Sequence, residues 1–580
     1  MKTYQLAVKK QKKIANKERP AAIQAMLARA LLCHRAGRVE QAQQLYWRIL
    51  AIDAHHADSL HLLGMVAYQA RRFEDAVALI RKAIAICGTA AAYRSNLGTV
   101  LQSQGKLDEA AACYEQALAL QPDLAEAHYN LGNIFYGQRK FGDAAASYER
   151  ALALHPDLAE PHYNLGNTLQ AQERLDEAIA SYKRALALKP QKFEALHNLG
   201  NALQAQGKLE EALACYEQVL ALEPDYAKAH YSTGAVLHAM GKTDEALGRY
   251  RRAQALQPNF AEAAFSESLV QLLQGNFGAG WRRHEWRWQT HEHTPPMRSY
   301  VQPLWAGEKL SSGRVLIWGE QGIGDEIMFA GLIPDALRTG NSCVLDCDAR
   351  LKPLFARSFP GLEVVSSRAS GDFYDDDPGR DAKLDIAAHL PIGSLPGLFR
   401  ATSATFASVT SPYLIPDAGH RDCFRLRYAD GRRVIGLAWY TNNRKTGRTR
   451  SIDLKAFAPL FARPDIRWIS LQYGDQDELL RRAELAGAPL FIDPGVNQFL
   501  DIDLFAAQIA AMDSVITIDN STAHLAGSLG IPTSVLLPFA SDWRWLQLRE
   551  DSPWYPSLRL FRQPSRGDWQ PVVEKIRTIL

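Results

Sequence analysis

The chain has 580 residues, of which 47% are hydrophobic and 22% charged, with 66 Lys and Arg against 63 Asp and Glu. This balance excludes disordered, collagen-like and coiled-coil chains and predicts a globular protein long enough for three or four domains. A formal net charge of +3 is too small to predict nucleic-acid binding. The seven cysteines are scattered and odd in number, unlike a disulfide framework or a zinc site, and they indicate a reducing, cytoplasmic location.

Residues 1–22 form a basic N-terminal segment. No apolar stretch with a small-residue cleavage site follows its lysines, as it would in a signal peptide. No apolar run in the chain reaches the roughly 18 residues that a membrane-spanning helix needs. We therefore expect a cytoplasmic protein without a membrane span.

Residues 23–275 repeat with a step of 34 residues. The recurring positions include Gly98, Gly132, Gly166, Gly200 and Gly234, and Tyr114, Tyr148, Tyr182, Tyr216 and Tyr250. The small residues allow two antiparallel helices to approach, the tyrosines fill the space between them, and a recurring proline ends the second helix. The pattern resembles the tetratricopeptide repeat, which implies an all-α superhelix of stacked helix pairs. Seven units fit, with a partial eighth from Ala261.

A second set of residues recurs in the same register: Asn96, Asn130, Asn133, Asn164, Asn167, Asn198 and Asn201. A primary amide donates and accepts hydrogen bonds at once, so a row of amides suits the main chain of an extended peptide. The alternative interpretation is that these amides only satisfy neighbouring helix ends. The row resembles the asparagine ladder of O-GlcNAc transferases, which implies a protein acceptor.

The period of the sequence changes after residue 275. Residues 276–313 form a joint rich in Trp and Arg, and strands alternate with helices from residue 314 onwards. This alternation predicts an α/β half with two parallel sheets, one in residues 314–428 and one in residues 429–580, facing a common cleft at their strand ends. The acidic run Asp375–Asp377 lies in a segment rich in Gly and Asp and is interpreted as a solvated turn, so no metal site is predicted.

Three motifs follow predicted strands and are expected at the cleft. The first is Gly322-Ile323-Gly324-Asp325, which lacks the Lys-Ser/Thr of a P-loop and the third glycine of a dinucleotide fingerprint. Its glycines, Gly322 and Gly324, let the backbone approach a ligand at a helix start. Asp325 is either a simple helix cap or a general base kept ionised by the positive helix end.

The second motif is the polar, basic loop Trp439–Ser451. A diphosphate site needs hydroxyl donors, such as Thr441, and cations that follow charge onto a leaving group, for which Arg448 and Arg450 are candidates. A solvated surface loop is the alternative interpretation.

The third motif begins with Asp519 and runs to Pro532 after an apolar strand. Its residues Asn520, Ser521 and Thr522 present free N–H groups to an anion at a helix start, Asp519 is placed for sugar hydroxyls, and His524 for a phosphate or developing charge. The alternative is a helix cap followed by a buried, hydrogen-bonded histidine.

Together these motifs resemble the heptosyltransferase-like glycosyltransferases of the GT-B fold. The resemblance runs from residue 314 to the C-terminus and includes the third motif. The segments Asp542-Trp543-Arg544-Trp545 and Ser552-Pro553-Trp554-Tyr555 are typical of the branch fused to tetratricopeptide repeats, which includes bacterial flagellin glycosyltransferases. It implies that Asp325 is the catalytic base, that Arg448 or Arg450 contacts the diphosphate, and that Gln472 contacts the nucleotide. Residues 519–524 would form the donor-binding loop.

The expected function is transfer of a sugar from a nucleotide-sugar co-substrate to a Ser or Thr hydroxyl of a protein held by the repeats, with a flagellin-like protein as the candidate acceptor. The reaction is expected to invert the sugar and to need no metal and no other cofactor, because one base and a stabilised leaving group suffice for direct displacement. Two alternatives stay open: a non-catalytic protein-binding scaffold, and a glycosyltransferase acting on a glycan such as lipopolysaccharide.

Overall fold

The computed structural model describes residues 2–290, 300–368, 384–408, 412–442 and 447–580. The acidic run Asp375–Asp377 and the basic residues Arg444 and Lys445 lie outside this part of the chain. The protein forms two compact units, Met1–Pro224 and Asp225–Leu580.

The first unit consists of helices joined by short turns. Their bounds are α1 Lys2–Arg35, α2 Val39–Ile52, α3 Ala57–Gln69, α4 Phe73–Ile86, α5 Ala91–Ser103, α6 Leu107–Leu120, α7 Ala125–Gly137, α8 Phe141–Leu154, α9 Ala159–Ala171, α10 Leu175–Leu188, α11 Phe193–Ala205 and α12 Leu209–Leu222. From α3 onwards a helix of 13 residues alternates with one of 14 residues. The predicted array of helix pairs is confirmed.

The glycine and tyrosine of each middle repeat are in direct contact. A Cβ atom added to Gly132 would lie 2.7 Å from Cε1 of Tyr148, and one added to Gly166 would lie 2.6 Å from Cε1 of Tyr182. The tyrosine rings are buried. Because a Cβ at either glycine would overlap a ring, the 34-residue pattern of Gly and Tyr records the close approach of the two helices.

The second unit begins with four more helices: α13 Ala227–Ala239, α14 Thr243–Leu256, α15 Ala261–Leu273 and α16 Phe277–His284. The Trp- and Arg-rich joint packs on the α/β part through buried polar contacts. The indole of Trp281 donates to the Arg400 carbonyl at 3.0 Å. The Arg287 guanidinium is fully buried and donates two hydrogen bonds of 2.9 Å to the carboxylate of Glu320.

Two parallel sheets make up the α/β part. The first has the order β3-β2-β1-β4, with β1 Arg314–Trp318, β2 Cys343–Asp348, β3 Glu363–Arg368 and β4 Ile386–Pro391. The second has the order β10-β9-β8-β5-β6-β7, with β5 Arg433–Ala438, β6 Ile466–Ser470, β7 Leu490–Phe491, β8 Ser514–Ile518, β9 Thr533–Leu537 and β10 Leu558–Arg562. Every pairing between named strands is parallel, as the alternating pattern predicts.

Helices connect these strands. They are α17 Ile323–Ala330, α18 Ile333–Arg338, α19 Lys352–Ser358, α20 Leu395–Phe399, α21 Ala418–Tyr428, α22 Gly447–Arg450, α23 Ala458–Phe461, α24 Gln476–Leu485, α25 Ile502–Ala510, α26 Ser521–Ser528 and α27 Gln570–Ile579. The first motif opens α17 after β1, and the third opens α26 after β8. Among the described residues, no helix is both long and apolar enough to cross a membrane.

Candidate functional site

The first and third motifs meet where two helices begin. A Cβ atom added to Gly324 in the first turn of α17 would lie 3.2 Å from Cδ2 of His524 and 3.7 Å from Cα of Ser521 in α26. Gly322, just before α17, has an extended backbone with φ −77°. Glycine at position 324 therefore lets the two helix starts lie side by side, and their first N–H groups form an electropositive edge.

A cavity of about 700 Å³ opens at this edge. Its lining includes Gly324, Asn442, Tyr473, Phe499, Ser521 and Arg350. These residues follow strands of both sheets, so the cavity lies at the strand ends, where ligands bind in open α/β sheets. Its volume is that of a small-molecule site.

A chain of five charged side chains runs beside the helix starts. The Nε atom of Arg544 donates to Oδ1 of Asp325 at 2.9 Å, and Nη1 of Arg544 donates to Oδ1 of Asp542 at 2.7 Å. Arg450 lies with Nη2 at 3.1 Å from Oδ2 of Asp542 and Nη1 at 3.1 Å from Oδ2 of Asp519. Three carboxylates thus alternate with two guanidinium groups, a formal charge of −1 when all are ionised.

Burial and charge act in opposite directions within this chain. Burial raises the pKa of Asp519, and the nearby Arg450 only partly offsets it. Burial also disfavours the charged form of Asp542, but Arg544 and Arg450 outweigh it and hold the pKa of Asp542 well below its usual range. The Arg544 guanidinium is likewise buried, yet Asp325 and Asp542 raise its pKa. Each of the two arginines already faces two carboxylates.

His524 occupies a buried, aromatic environment. Its side chain is enclosed, its Nδ1 atom lies 3.0 Å from the Tyr555 hydroxyl, and its ring stacks on Trp545 with centroids 5.1 Å apart. Burial, aided by the charge of Arg544, lowers the pKa of His524 to about 3. The imidazole is therefore neutral at physiological pH, and its contacts match the alternative interpretation of a buried, hydrogen-bonded histidine. The contact with Gly324 makes it a positioning residue for α17.

The residues of the third motif form a helix cap and include two buried polar atoms that lack partners. Oδ1 of Asn520 accepts from the N–H of Ala523 at 3.3 Å and from the Thr517 hydroxyl at 2.9 Å, which is the predicted cap. Within the described part of the chain, Nδ2 of Asn520 and Oγ1 of Thr522 are buried without a hydrogen-bond partner. Buried polar atoms are rarely left unpaired, so this loop has hydrogen-bonding capacity to spare for a ligand.

The basic loop is tied to the next strand end. The Tyr473 hydroxyl donates to Oγ1 of Thr441 at 3.0 Å, and the Thr441 N–H donates to the Ser451 hydroxyl at 3.1 Å. Arg448 is exposed, whereas Arg450 is partly buried and belongs to the charge chain. The structure thus places Thr441 in contact with Tyr473, which lines the cavity, and gives the two arginines different surroundings.

Gln472 is wholly buried, and all of its hydrogen-bonding atoms contact backbone. Its Oε1 atom accepts from the N–H groups of Trp439 and Tyr440 at 3.0 and 2.9 Å. Its Nε2 atom donates to the carbonyls of Tyr440 and Tyr473 at 3.0 and 3.1 Å. A primary amide offers two donors and one doubly accepting oxygen, so none is left for a nucleotide. Gln472 joins the loops after β5 and β6 instead of facing a ligand.

The asparagines of the first unit form a hydrogen-bonded network. Oδ1 of Asn133 accepts from the Tyr148 hydroxyl at 2.8 Å and from Nδ2 of Asn164 at 2.9 Å. One repeat later, Oδ1 of Asn167 accepts from the Tyr182 hydroxyl and from Nδ2 of Asn198, both at 2.8 Å. The inter-helix tyrosines therefore orient the amides.

The ends of this ladder use other partners. Nδ2 of Asn96 lies 2.7 Å from Nε2 of His61, Asn130 hydrogen-bonds the Tyr114 hydroxyl, and Oδ1 of Asn201 accepts from the Tyr216 hydroxyl at 2.7 Å.

Each central amide keeps one group free. Nδ2 of Asn164 and Nδ2 of Asn198 also donate to Tyr129 and Tyr163, both at 3.3 Å, which uses both N–H groups of each amide. Over the described residues, Oδ1 of Asn164 and Asn198 and Nδ2 of Asn133 and Asn167 are left without partners. Both interpretations of the row thus find support, because the amides satisfy neighbours and still present alternating acceptors and donors.

Sequence reasoning missed Arg544 as a site residue, although the segment Asp542–Trp545 stood out as part of the family resemblance. It also missed Tyr473, Phe499 and Arg350, which line the cavity. Each lies in a loop that follows a strand, and that position is the only signal the sequence offered.

Comparison with known proteins shows tetratricopeptide repeats. Profiles described as TPR repeat or tetratricopeptide repeat match residues 23–46, 56–91, 100–139, 125–158, 147–180, 166–207 and 205–241. The repeat half is thus a scaffold of the protein-binding TPR type, with the α/β half following it.

Individual proteins are similar to parts of the chain. Protein FlbA of Caulobacter vibrioides is 31% identical over 324 residues, which is 54% of this chain and 54% of FlbA. The crystal structure of YrrB, described as a TPR protein with an unusual peptide-binding site, is 28% identical and covers 33% of this chain and 98% of YrrB, with a TM-score of 0.31. A crystal structure of MamA is 25% identical and covers 29% of this chain and 97% of MamA, with a TM-score of 0.28.

Proposed function

We propose that the protein transfers a sugar from a nucleotide sugar to a hydroxyl of a protein bound by the tetratricopeptide repeats. The observation that carries this proposal is the convergence of three strand-end motifs on one cavity of about 700 Å³. Beside it stand a carboxylate at a helix start, two guanidinium groups, and a helix-start loop with unpaired buried polar atoms. This combination suits a phosphorylated sugar donor and an incoming hydroxyl.

The proposed reaction is a single displacement with inversion. The acceptor oxygen attacks the anomeric carbon while the bond from that carbon to the phosphate oxygen breaks, and the electron pair leaves with the nucleotide. Asp325 accepts the proton of the attacking hydroxyl. N–H groups at the starts of α17 and α26, with Arg450 or Arg448, stabilise the departing phosphate, so the step needs no metal.

The asparagine ladder is proposed to hold the acceptor chain. Its free groups alternate between the acceptor oxygens of Asn164 and Asn198 and the donor nitrogens of Asn133 and Asn167. An extended peptide offers an N–H and a C=O at every residue, so it pairs with such a row whatever its side chains. The bound partner is therefore expected to be a segment without fixed secondary structure.

Incubation of the purified chain with a panel of nucleotide sugars and candidate protein acceptors tests the proposal. Asp325→Asn is expected to lower kcat by about 10²- to 10⁴-fold, the usual contribution of a general base. Asp503→Asn is a matched control, because Asp503 also lies in the first turn of a helix, pairs with an arginine, and is exposed to a similar degree, 20% against 18%. Equal turnover of wild type and Asp325→Asn would contradict the assigned base.

The ladder is tested with the double variant Asn164→Ala, Asn198→Ala. The KM for the protein acceptor should rise by about 10-fold or more, because the variant loses the two proposed hydrogen bonds from the acceptor peptide to the amide oxygens, each worth roughly 1 kcal/mol. The KM for the donor should be unchanged. Replacement of the exposed Gln121 by Ala is the control. An unchanged acceptor KM would remove the ladder from the binding site.

A non-catalytic scaffold is the second candidate, and one observation favours it: both arginines of the charge chain are already neutralised by carboxylates. Protein binding without turnover of any nucleotide sugar would support it. Transfer to a glycan acceptor that does not compete with protein for the ladder would favour the glycan-directed alternative.

A further inference from the structure

The proposed base is held in an ion pair. Two atoms of the Arg544 guanidinium, Nε and Nη2, contact Oδ1 of Asp325, and the two side chains are only 16% and 18% exposed. An oxygen that already accepts two charge-assisted hydrogen bonds from one arginine takes a further donor only when one of these contacts is given up. In this arrangement Oδ1 of Asp325 is held by Arg544 and is not available to an incoming hydroxyl.

The segment that carries Arg544 is built to place it. Leu546 and Leu548 both have left-handed backbones, with φ of 52° and 59°, a conformation that leucine rarely adopts. The carbonyls of Trp545 and Leu546 accept hydrogen bonds of 2.7 and 2.6 Å from Nη2 of Arg562. Arg562 thus holds a strained turn directly after Arg544, and such strain is typical of functional segments.

Arg544 contacts Asp325 and Asp542 through different atoms of its guanidinium. Its Nη1 atom donates to Asp542, whose Oδ1 also accepts the Arg544 N–H at 3.1 Å, and its guanidinium lies 4.5 Å from the Trp543 ring centre. The planar guanidinium has five N–H donors, so it can exchange one partner while it keeps another. The contact with Asp325 can therefore be given up without loss of the contact with Asp542.

The charge pairing in the cluster favours such an exchange when an anion binds there. Each of the two arginines already contacts two carboxylates, so neither has an unshared charge to offer a phosphate. A phosphate that binds at this cluster gains the charge of one of these arginines when that arginine changes partners. Of the two, Arg544 contacts the residue at the start of α17 and is the one whose movement would free Asp325.

We propose that Arg544 is a switch residue that couples donor binding to release of the base. In the unliganded protein it neutralises Asp325; when the phosphate of the nucleotide sugar binds, the guanidinium turns to the phosphate, remains on Asp542, and leaves Asp325 free to accept the acceptor proton. No covalent bond changes in this exchange. The inference rests on the proposed function and adds to it that the site becomes reactive only after the donor has bound.

Titration calorimetry with inorganic diphosphate, and in a parallel arm inorganic phosphate, tests the exchange in the full chain. The proteins are wild type, Arg544→Gln, Asp325→Asn and the double variant. Arg544→Gln should weaken diphosphate binding by about 10- to 100-fold, the value of a lost charge-assisted hydrogen bond. Asp325→Asn should tighten it by about 10-fold in the wild-type background, because the competitor for Arg544 is gone.

The double variant separates competition from simple repulsion. Loss of the negative charge of Asp325 tightens anion binding in any background. Competition between Asp325 and the diphosphate for Arg544, however, disappears when the arginine is removed. Asp325→Asn should therefore tighten binding by less than about 3-fold in the Arg544→Gln background. Arg544→Lys, which keeps the charge, should bind diphosphate with intermediate affinity, and Asp503→Asn should bind as wild type.

Equal tightening by Asp325→Asn in both backgrounds, or weaker binding in Asp325→Asn, would overturn the switch and leave the proposed function standing. If Arg544→Gln unfolds, the diphosphate affinity of Arg544→Lys is compared instead with that of the double variant Arg544→Lys, Asp325→Asn. Diphosphate binding with the expected coupling but no sugar transfer would contradict the proposed function alone. Absence of phosphate and diphosphate binding to the wild type would overturn both.

Discussion

Two glycines of one repeat offer a controlled test of how the helix pairs are packed. A Cβ atom added to Gly234 in α13 would lie 2.7 Å from Cε1 of Tyr250, whereas one added to Gly248 in α14 would have no atom within 4 Å. Tyr250 is 1% exposed, so its ring has little room to move. Both glycines lie inside helices, so alanine gains the same helix propensity at both.

The magnitudes follow from these two surroundings. Gly248→Ala should raise the free energy of unfolding by about 0.8 to 1 kcal/mol from helix propensity alone. At Gly234 the same gain is set against an overpacking cost of about 1 to 3 kcal/mol, because the Cβ must move a buried ring by several tenths of an ångström. Gly234→Ala should therefore be less stable than Gly248→Ala by about 1 to 3 kcal/mol.

Urea unfolding followed by circular dichroism at 222 nm measures the difference between the two variants. Wild type should fall between them or close to Gly234→Ala. Equal midpoints for both variants would contradict the expected overpacking at Gly234, since the close approach of α13 to the Tyr250 ring would then carry no energetic cost.

Three further outcomes follow from buried polar groups. Tyr182→Phe removes the hydroxyl that donates to Oδ1 of Asn167, so it should lower the free energy of unfolding by about 1 kcal/mol and weaken acceptor binding. Urea unfolding and a binding assay measure the two effects, and the control Tyr136→Phe, at an exposed tyrosine, should change neither quantity. His524 has a pKa of about 3 in the fold against about 6.5 in the unfolded chain, so the unfolded state takes up a proton as pH falls below 6.5. Stability should thus decrease by about 2 kcal/mol between pH 7.5 and pH 5, and a flat stability profile would contradict the neutral assignment. Gln472→Ala leaves buried N–H groups of Trp439 and Tyr440 unpaired and should lower the thermal midpoint; an altered affinity for a nucleotide with unchanged stability would instead make Gln472 a ligand contact.

The sequence predicts the repeat half well because its spacing is local. The Gly and the Tyr that recur every 34 residues touch each other within one helix pair, as Gly166 and Tyr182 do. The strand, turn and helix order around Gly322–Asp325 is equally local, so the parallel sheets were also predictable.

The electrostatics of the site were not readable from the sequence. Asp325 and Arg544 are 219 positions apart, and nothing local to either residue indicates that they pair. The burial that makes His524 neutral comes from Tyr555 and Trp545, and the backbone contacts of Gln472 come from the loop after another strand. Residue type and motif placed these side chains at the strand ends, but their protonation and partners depend on tertiary neighbours.

The proposed activity is the addition of a sugar to another protein. Intact-mass spectrometry of candidate acceptors coexpressed with the chain measures this directly, because the mass increment identifies both the modified protein and the class of sugar. An acceptor is expected to gain one or more glycosyl increments with the wild-type chain and none with Asp325→Asn. No increment with the wild type, or the same increments with both chains, would contradict the proposed activity.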